Sequence, residues 1–320
     1  MTRRLTSAFT LAIALLLSAL PAKGQRYVAR ADSLLRQGRV FDAEQLYYYA
    51  VRRAPRDPGA RLALGRYLAA RGALRIGAVL MEEARFFGGD PKLVGVYLAP
   101  VYARLGDYKP LTTLPSSPLP YAQRARAEWL TANQPTTTGP DSAIVPLVAS
   151  DSAPFGAVAI VLGQDTLTAV IDPRVQGLTL DTAWLHRKEV KRFVATYDAD
   201  WRNAAGAALA VEIGPFALTN VPASFAATGG ATKARVGLDF LGGLAPTIDQ
   251  AAGRLLLRPS GRIATDAPGQ RIPTLAYPGG LWLVQRDGVW PLGGAAARAT
   301  IGRRPWILDA KRGEVILLDR

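Results

Sequence analysis

The chemistry open to this 320-residue chain is narrowed first by two residue types, because it holds one histidine, His186, and no cysteine. Without thiols there is no disulfide framework, no thiolate nucleophile, no Cys-ligated zinc or iron–sulfur cluster and no CxxC redox pair. A lone imidazole excludes multi-histidine metal sites within one chain and leaves room for a single triad base. His186 follows Trp184-Leu185 and precedes Arg187-Lys188. No carboxylate neighbours it at helical spacing on its N-terminal side, so it reads as a helix residue and not as a base. Any chemistry must therefore run on carboxylates, hydroxyls or lysines, with no metal and no organic cofactor called for.

The net charge of +14 and pI near 10.3 raise nucleic acid as a partner. Three of the positive charges (Arg3, Arg4, Lys23) lie in residues 1–24, which hold no acid, so a processed chain carries +11. The rest are spread along the chain. No Lys/Arg run is interleaved with aromatics as a nucleic-acid groove requires. Nucleic acid is not expected, and the charge reads as a surface bias toward acidic partners.

The elements that would position a carboxylate site fall into distinct stretches. Residues 1–24, MTRRLTSAFTLAIALLLSALPAKG, have two arginines, an apolar run from Phe9 to Leu20, and Ala22 and Gly24 at the small-residue positions before a cleavage point. The run is shorter than the roughly 20 residues of a spanning helix, and no later stretch is long and apolar enough to span. The expectation is a signal peptide cut after Gly24, a periplasmic or secreted product, and no integral membrane segment after cleavage.

Gly38, Gly72 and Gly106 then recur at one spacing. After the first, Ala43, Tyr47, Ala50 and Pro55 follow in GRVFDAEQLYYYAVRRAP. The second copy keeps Leu64, Gly65, Gly72 and Ala84 but has Gly77, Met81 and Gly89 where the pattern wants Ala, an aromatic and Pro. The third keeps Tyr102 and Gly106, meets Pro110 and loses its second helix. Residues 25–112 thus resemble tetratricopeptide repeats, whose paired helices approach through small residues. Such an array is a docking surface or spacer with an outer face to cover, and the helix from Tyr121 to Thr131 is a candidate cover. Residues 113–141, with LPSSPLP and NQPTTTGPDS around that helix, read as a helix and linker.

From Ile144 onward the period shortens to strand-like runs punctuated by Gly and Pro: AVAIVLG, TLTAVID, ALAVEIG, FALTNVPASF, RLLLRP. These predict an antiparallel sandwich or barrel. One helical interruption, DTAWLHRKEVKRF, has Asp181 as its N-cap. The order VPLVAS, AVAIVLGQDTLTAVID, VEIGPFALTNVPASF and VGLDFLGGLAPTIDQAAGRLLLRP over about 142–260 resembles a bacterial retropepsin-like aspartic protease domain. Its most specific part is Val236, Gly237, Leu238, Asp239, Phe240 and Leu241, followed by Thr247, Ile248, Asp249, Gly253, Leu255 and Leu257.

The resemblance implies a closed β fold, a flap near residues 198–208, and a pair of aspartates from two subunits or two lobes. Such a pair shares one proton and activates a water. Asp172 falls on the catalytic aspartate, but Pro173 and Arg174 stand where the family has Thr and Gly, and Val175 and Gln176 where it has Ala and Ser. Arg174 is expected to pair with Asp172 and hold it ionised, which removes the acid that the reaction needs. A rival register puts the motif at Asp181-Thr182-Ala183, and Asp165-Thr166 reads as a turn. Asp239 and Asp249 are expected to make turn bonds. Near the C-terminus WILDAKRGEVILLD echoes PTIDQAAGRLLLRP, with Asp309 and Gly313 spaced as Asp249 and Gly253 are. Residues 261–320 thus hold either a second hairpin or the remnant of a second, shortened lobe, with no second Asp-Thr-Gly before it.

The expectation is an α+β multidomain protein, an N-terminal α-solenoid followed by an all-β acid-protease barrel. It binds a peptide or protein partner without cleaving it. The rival expectations are an active endopeptidase using Asp172 in a homodimer, and a structural scaffold.

Overall fold

The computed structural model describes residues 23–114, 121–148, 155–175, 177–186, 193–196, 204–228, 232–237, 240, 244–258, 268–277, 280–285, 288–302, 304–309 and 312–319. The expected signal peptide up to residue 22, Asp239 and most of the expected flap approach lie outside them.

The helical half contains α1 (Lys23–Arg36), α2 (Val40–Arg53), α3 (Pro58–Ala70), α4 (Leu74–Phe86), α5 (Pro91–Leu105), α6 (Lys109–Thr113) and α7 (Tyr121–Ala132). Two starts are written in the sequence. Asp57 accepts from Gly59 N at 2.8 Å ahead of Pro58, and Asp90 accepts from Lys92 N at 2.9 Å ahead of Pro91. Gly38, Gly72 and Gly106 each end the first helix of a hairpin with positive φ (77°, 92° and 69°). Gly77, a departure from the repeat pattern, faces Gly65: a Cβ on either would come within 3 Å of the other's carbonyl oxygen, so α3 and α4 cross backbone to backbone. Where the third repeat loses its pattern, the second helix shrinks to α6. Helix α7 closes that end, with Ala127 and Leu130 buried in one cluster with Val94, Leu98 and Leu111. No described helix is long and apolar enough to cross a membrane.

The β half runs β1 (Thr136–Thr138), β2 (Ala143–Val148), β3 (Ala157–Leu162), β4 (Asp165–Ile171), β5 (Leu178–Asp181), the short helix α8 (Thr182–His186), β6 (Phe193–Thr196), β7 (Ala204–Ile213), β8 (Phe216–Ala226) and β9 (Ala234–Val236). It continues with β10 (Thr247–Asp249), β11 (Arg254–Leu257), β12 (Gln270–Tyr277), β13 (Gly280–Gln285), β14 (Gly288–Pro291), helix α9 (Ala295–Ile301), β15 (Trp306–Asp309) and β16 (Glu314–Leu317). Strands β3, β4, β9, β5, β8 and β7 pair in that order, and β7 returns to β3 at Val161 opposite Glu212, closing a barrel. Two of its pairings, β4 with β9 and β5 with β8, are parallel, where the alternating runs predict an antiparallel barrel. Within the stretch read as linker, β1 pairs with β8.

A second sheet has the order β12-β16-β15-β10-β11-β2 and joins the barrel through β2. Its centre is packed by Trp306, whose ring meets Phe155 edge-on at 5.4 Å. The array lies against both sheets. Leu64, Tyr67 and Leu68 of the array are buried with Leu275 and Val284. On the other flank Arg126 of α7 donates to the Ala223 carbonyl at 3.0 Å, and burial pushes its pKa down.

Candidate functional site

Asp172 is the first residue past β4, at the end of a strand held parallel to β9. Its N–H donates to the Val236 carbonyl at 3.0 Å, which ties the loop to the barrel. The side chain is 5% exposed. Pro173 has no N–H to offer and a fixed φ, so the next amide, Arg174 N, turns back to Asp172 Oδ1 at 3.0 Å. The Arg174 guanidinium then grips the same carboxylate in a fork, Nε to Oδ1 and Nη2 to Oδ2, both at 2.9 Å.

Arg235 of β9 adds Nη1 to Oδ2 at 3.4 Å and donates Nη2 to the Thr228 carbonyl at 3.0 Å, while its buried Nε has no partner. Burial pushes the Asp172 carboxyl up. The side-chain and backbone hydrogen bonds of Arg174, with the charges of Arg174 and Arg235, outweigh it and hold the group below the ordinary carboxylate value. Arg174 is correspondingly raised by its bond to Asp172.

Asp172 and Arg174 are thus brought together as their spacing predicts. Arg235 was not anticipated; a single arginine in an apolar run, ARVG, is the only trace of it in the sequence. Pro273-to-Pro291 hairpin elements also reach the loop: a Cβ on Gly280, at φ 147°, would stand 3.3 Å from the Pro173 carbonyl oxygen.

The rival aspartates do other work. Asp181 Oδ1 accepts from Trp184 N at 2.9 Å as the cap of α8, and Oδ2 accepts from Thr228 N at 3.0 Å and Thr228 Oγ1 at 2.9 Å. Those bonds, the Thr228 amide first, hold its pKa down. Asp165 opens β4 opposite Leu162, across a tight turn. Asp249 accepts from Ala252 N at 3.0 Å and pairs with Arg254 at 3.1 Å, a turn role. His186 ends α8, and its side chain lies outside the described residues. Among the described residues no three metal-ligating groups converge.

A carboxylate forked by one guanidinium, capped by an amide and approached by a second guanidinium is an anchor. Among the described residues no second carboxylate is bonded to it, and its own carboxyl is held below the ordinary value. Among solved structures the chain is similar to a retropepsin-like aspartic protease from Rickettsia conorii, at 14% identity and a TM-score of 0.28, over 39% of this chain and 93% of that one. No family model matches the chain, and no curated protein matches it. The chain's own strand pairings make it a helical array followed by a β-barrel domain.

Proposed function

We propose that the chain is an exported protein in which a retropepsin-like domain has lost peptidase chemistry and, with a tetratricopeptide-like array, binds a peptide or protein partner without cleaving it. The observation that carries the proposal is the ion pair at Asp172. Peptide hydrolysis by two aspartates needs one carboxyl protonated and one ionised, sharing a proton. Here the carboxylate is saturated by Arg174 and kept ionised into acid. The order of strands and turns around it, with Val236, Gly237, Thr247, Ile248, Asp249 and Gly253 in their expected places, supports descent from a peptidase frame.

A binding role is supported by the outward face of the array. Ile76, Val79 and Phe86 of α4 and Leu93 and Val96 of α5 are exposed. A hollow of about 540 Å³ between α4 and the end of α5 is lined by Val79, Phe86, Tyr102 and Leu105 and by charged side chains including Glu82 and Arg85. Exposed apolar surface on adjacent helices is what a contact site offers where it is contiguous.

The test uses the purified chain and an Asp172→Asn variant with fluorescein-labelled unfolded casein. The expected result is no new fragments from either protein between pH 3.5 and 7.5, with anisotropy rising on mixing. Cleavage by the parent that is lost in Asp172→Asn would overturn the proposal, as would the absence of any anisotropy change.

A further inference from the structure

The two hairpins at the middle of the second sheet are built alike. In β10–β11, Asp249 stands opposite Arg254, its Oδ1 accepts from Ala252 N at 3.0 Å, and Gly253 turns at φ 61°. In β15–β16, Asp309 stands opposite Glu314, its Oδ1 accepts from Arg312 N at 3.0 Å, and Gly313 turns at φ 61°. Strands β10 and β15 pair antiparallel with Thr247 opposite Ile307. Those two residues hold the same place in their hairpins, so a local two-fold axis passes between them.

The symmetry continues outward bond by bond. Leu147 N donates to the Gly253 carbonyl at 2.8 Å, and Thr274 N donates to the Gly313 carbonyl at 2.7 Å. Pro146 lies opposite Arg254, and Pro273 opposite Glu314. Arg258 N reaches the Leu244 carbonyl at 2.7 Å, and the matching Leu318 N reaches back to the Pro305 carbonyl at 2.9 Å, one residue nearer its hairpin. One strand further, Leu147 faces Val158, and Thr274 faces Leu283. One more strand brings Val170 opposite Ala157, and Pro291 opposite Trp282. The ladders then end in the same bond, Ile171 N to the Gly156 carbonyl at 3.1 Å and Leu292 N to the Leu281 carbonyl at 2.8 Å.

We infer that residues 268–319 are a second, shortened copy of the unit that carries Asp172, and that Gly293, the residue after Leu292, holds the place equivalent to Asp172. The chain supplies both halves of its own two-fold. The edge of β10, which a second molecule would need for the same arrangement, is occupied by β15 of the same chain. The site therefore has one carboxylate, on the first copy, and a bare glycine on the second. The homodimer that could furnish two aspartates is closed off. This holds whether or not the chain binds a partner: a cleaving parent would overturn the proposed function and leave the two-fold standing.

Two measurements on the full chain test it. The chain has no cysteine, and cross-strand neighbours are within disulfide reach, so Thr247→Cys with Ile307→Cys gives a clean reporter. The expected product of mild oxidation is a monomer with an intrachain disulfide, seen by light scattering and by a non-reducing gel. A disulfide-linked dimer, or thiols that stay free, would overturn the inference. For the glycine, Gly293→Asp places a second carboxylate across the axis, and carbon-detected NMR titration reads the Asp172 carboxyl. A rise of its midpoint over the parent, absent in Gly293→Asn, is expected; an unchanged midpoint would overturn the equivalence of Gly293 and Asp172.

Discussion

Asp172 is buried and charged, and its state depends on two arginines that reach it from different places in the chain. Arg174 does so through local geometry: two residues on, with a proline between, its amide and guanidinium both turn back. That was legible in the sequence, because Asp-Pro-Arg fixes a short turn and puts opposite charges within reach. Arg235 was not, since it meets Asp172 only through the parallel pairing of β4 with β9, and no spacing along the chain encodes that. The pair makes a pH signature. A carboxyl held below its ordinary value of about 3.9 contributes stability that is complete above that value and is lost as pH falls through the lower folded value. Removing both arginines leaves burial, the largest influence, opposed only by the amide of residue 174, and the folded pKa then rises above the unfolded one. The charged form is then a burden at neutral pH and is relieved by protonation. The double variant Arg174→Ala with Arg235→Ala is expected to lose about 3 kcal/mol at pH 7, the scale of an uncompensated buried charge. The loss relative to the parent should shrink as pH falls from 7 toward 4, measured by urea unfolding at each pH. A loss that is flat with pH would mean that Asp172 is not the group responsible.

At the scale of elements, the repeat period marks helix ends and leaves open what touches them. Gly38 and Gly106 share a position in the repeat and a left-handed backbone, yet their surroundings differ. A Cβ on Gly106 meets nothing within 4 Å, whereas one on Gly38 runs into the Gln285 carbonyl oxygen and comes to 3.0 Å from Gly288 N. Gly106→Ala should therefore cost only the left-handed backbone penalty, about 1 kcal/mol. Gly38→Ala adds a collision with backbone that cannot swing aside, and a loss of about 3 kcal/mol is expected, the range of overpacked sites. Equal losses in chemical denaturation would contradict the contact. The same logic explains what the sequence concealed in the β half. Alternation of apolar and polar residues revealed the strands. The parallel pairings leave no mark in that alternation, because a parallel partner lies far away in sequence. The echo between Asp249-to-Gly253 and Asp309-to-Gly313 was visible as spacing, but only the paired register turns it into an axis.

For the whole molecule, the local two-fold of the β half is broken by the helices, because α1 and α3 pack on the second copy whereas α7 packs on β6, β7 and β8 of the first. Arg71, at the end of α3, donates through Nη1 to the Thr274 carbonyl at 3.0 Å and the Gly313 carbonyl at 2.7 Å. Among the described residues the equivalent turn of the first copy has no such neighbour: a Cβ on Gly253 would meet the Leu147 carbonyl at 3.8 Å, whereas one on Gly313 would strike the backbone of Arg71. Among the described residues the second copy has fewer strands than the first, and its apolar residues Leu275 and Val284 are covered by Leu64, Tyr67 and Leu68 of the array. An array used in this way braces its own chain on its inner face and leaves Ile76, Val79 and Phe86 exposed. Two glycines with the same φ and the same place in the two-fold should then respond differently. Gly253→Ala is expected to lower stability by about 1 kcal/mol, which for a chain of this size shifts Tm by only about 2–4 °C. Gly313→Ala should lower it several-fold more, because the array must move away from the second copy. In calorimetry the parent is expected to unfold in one transition, with the array and both copies cooperating across the Arg71 joint. Gly313→Ala should split that transition, releasing the array from the β half at lower temperature while Gly253→Ala keeps it single. If both variants shift one transition equally, the array does not brace the second copy.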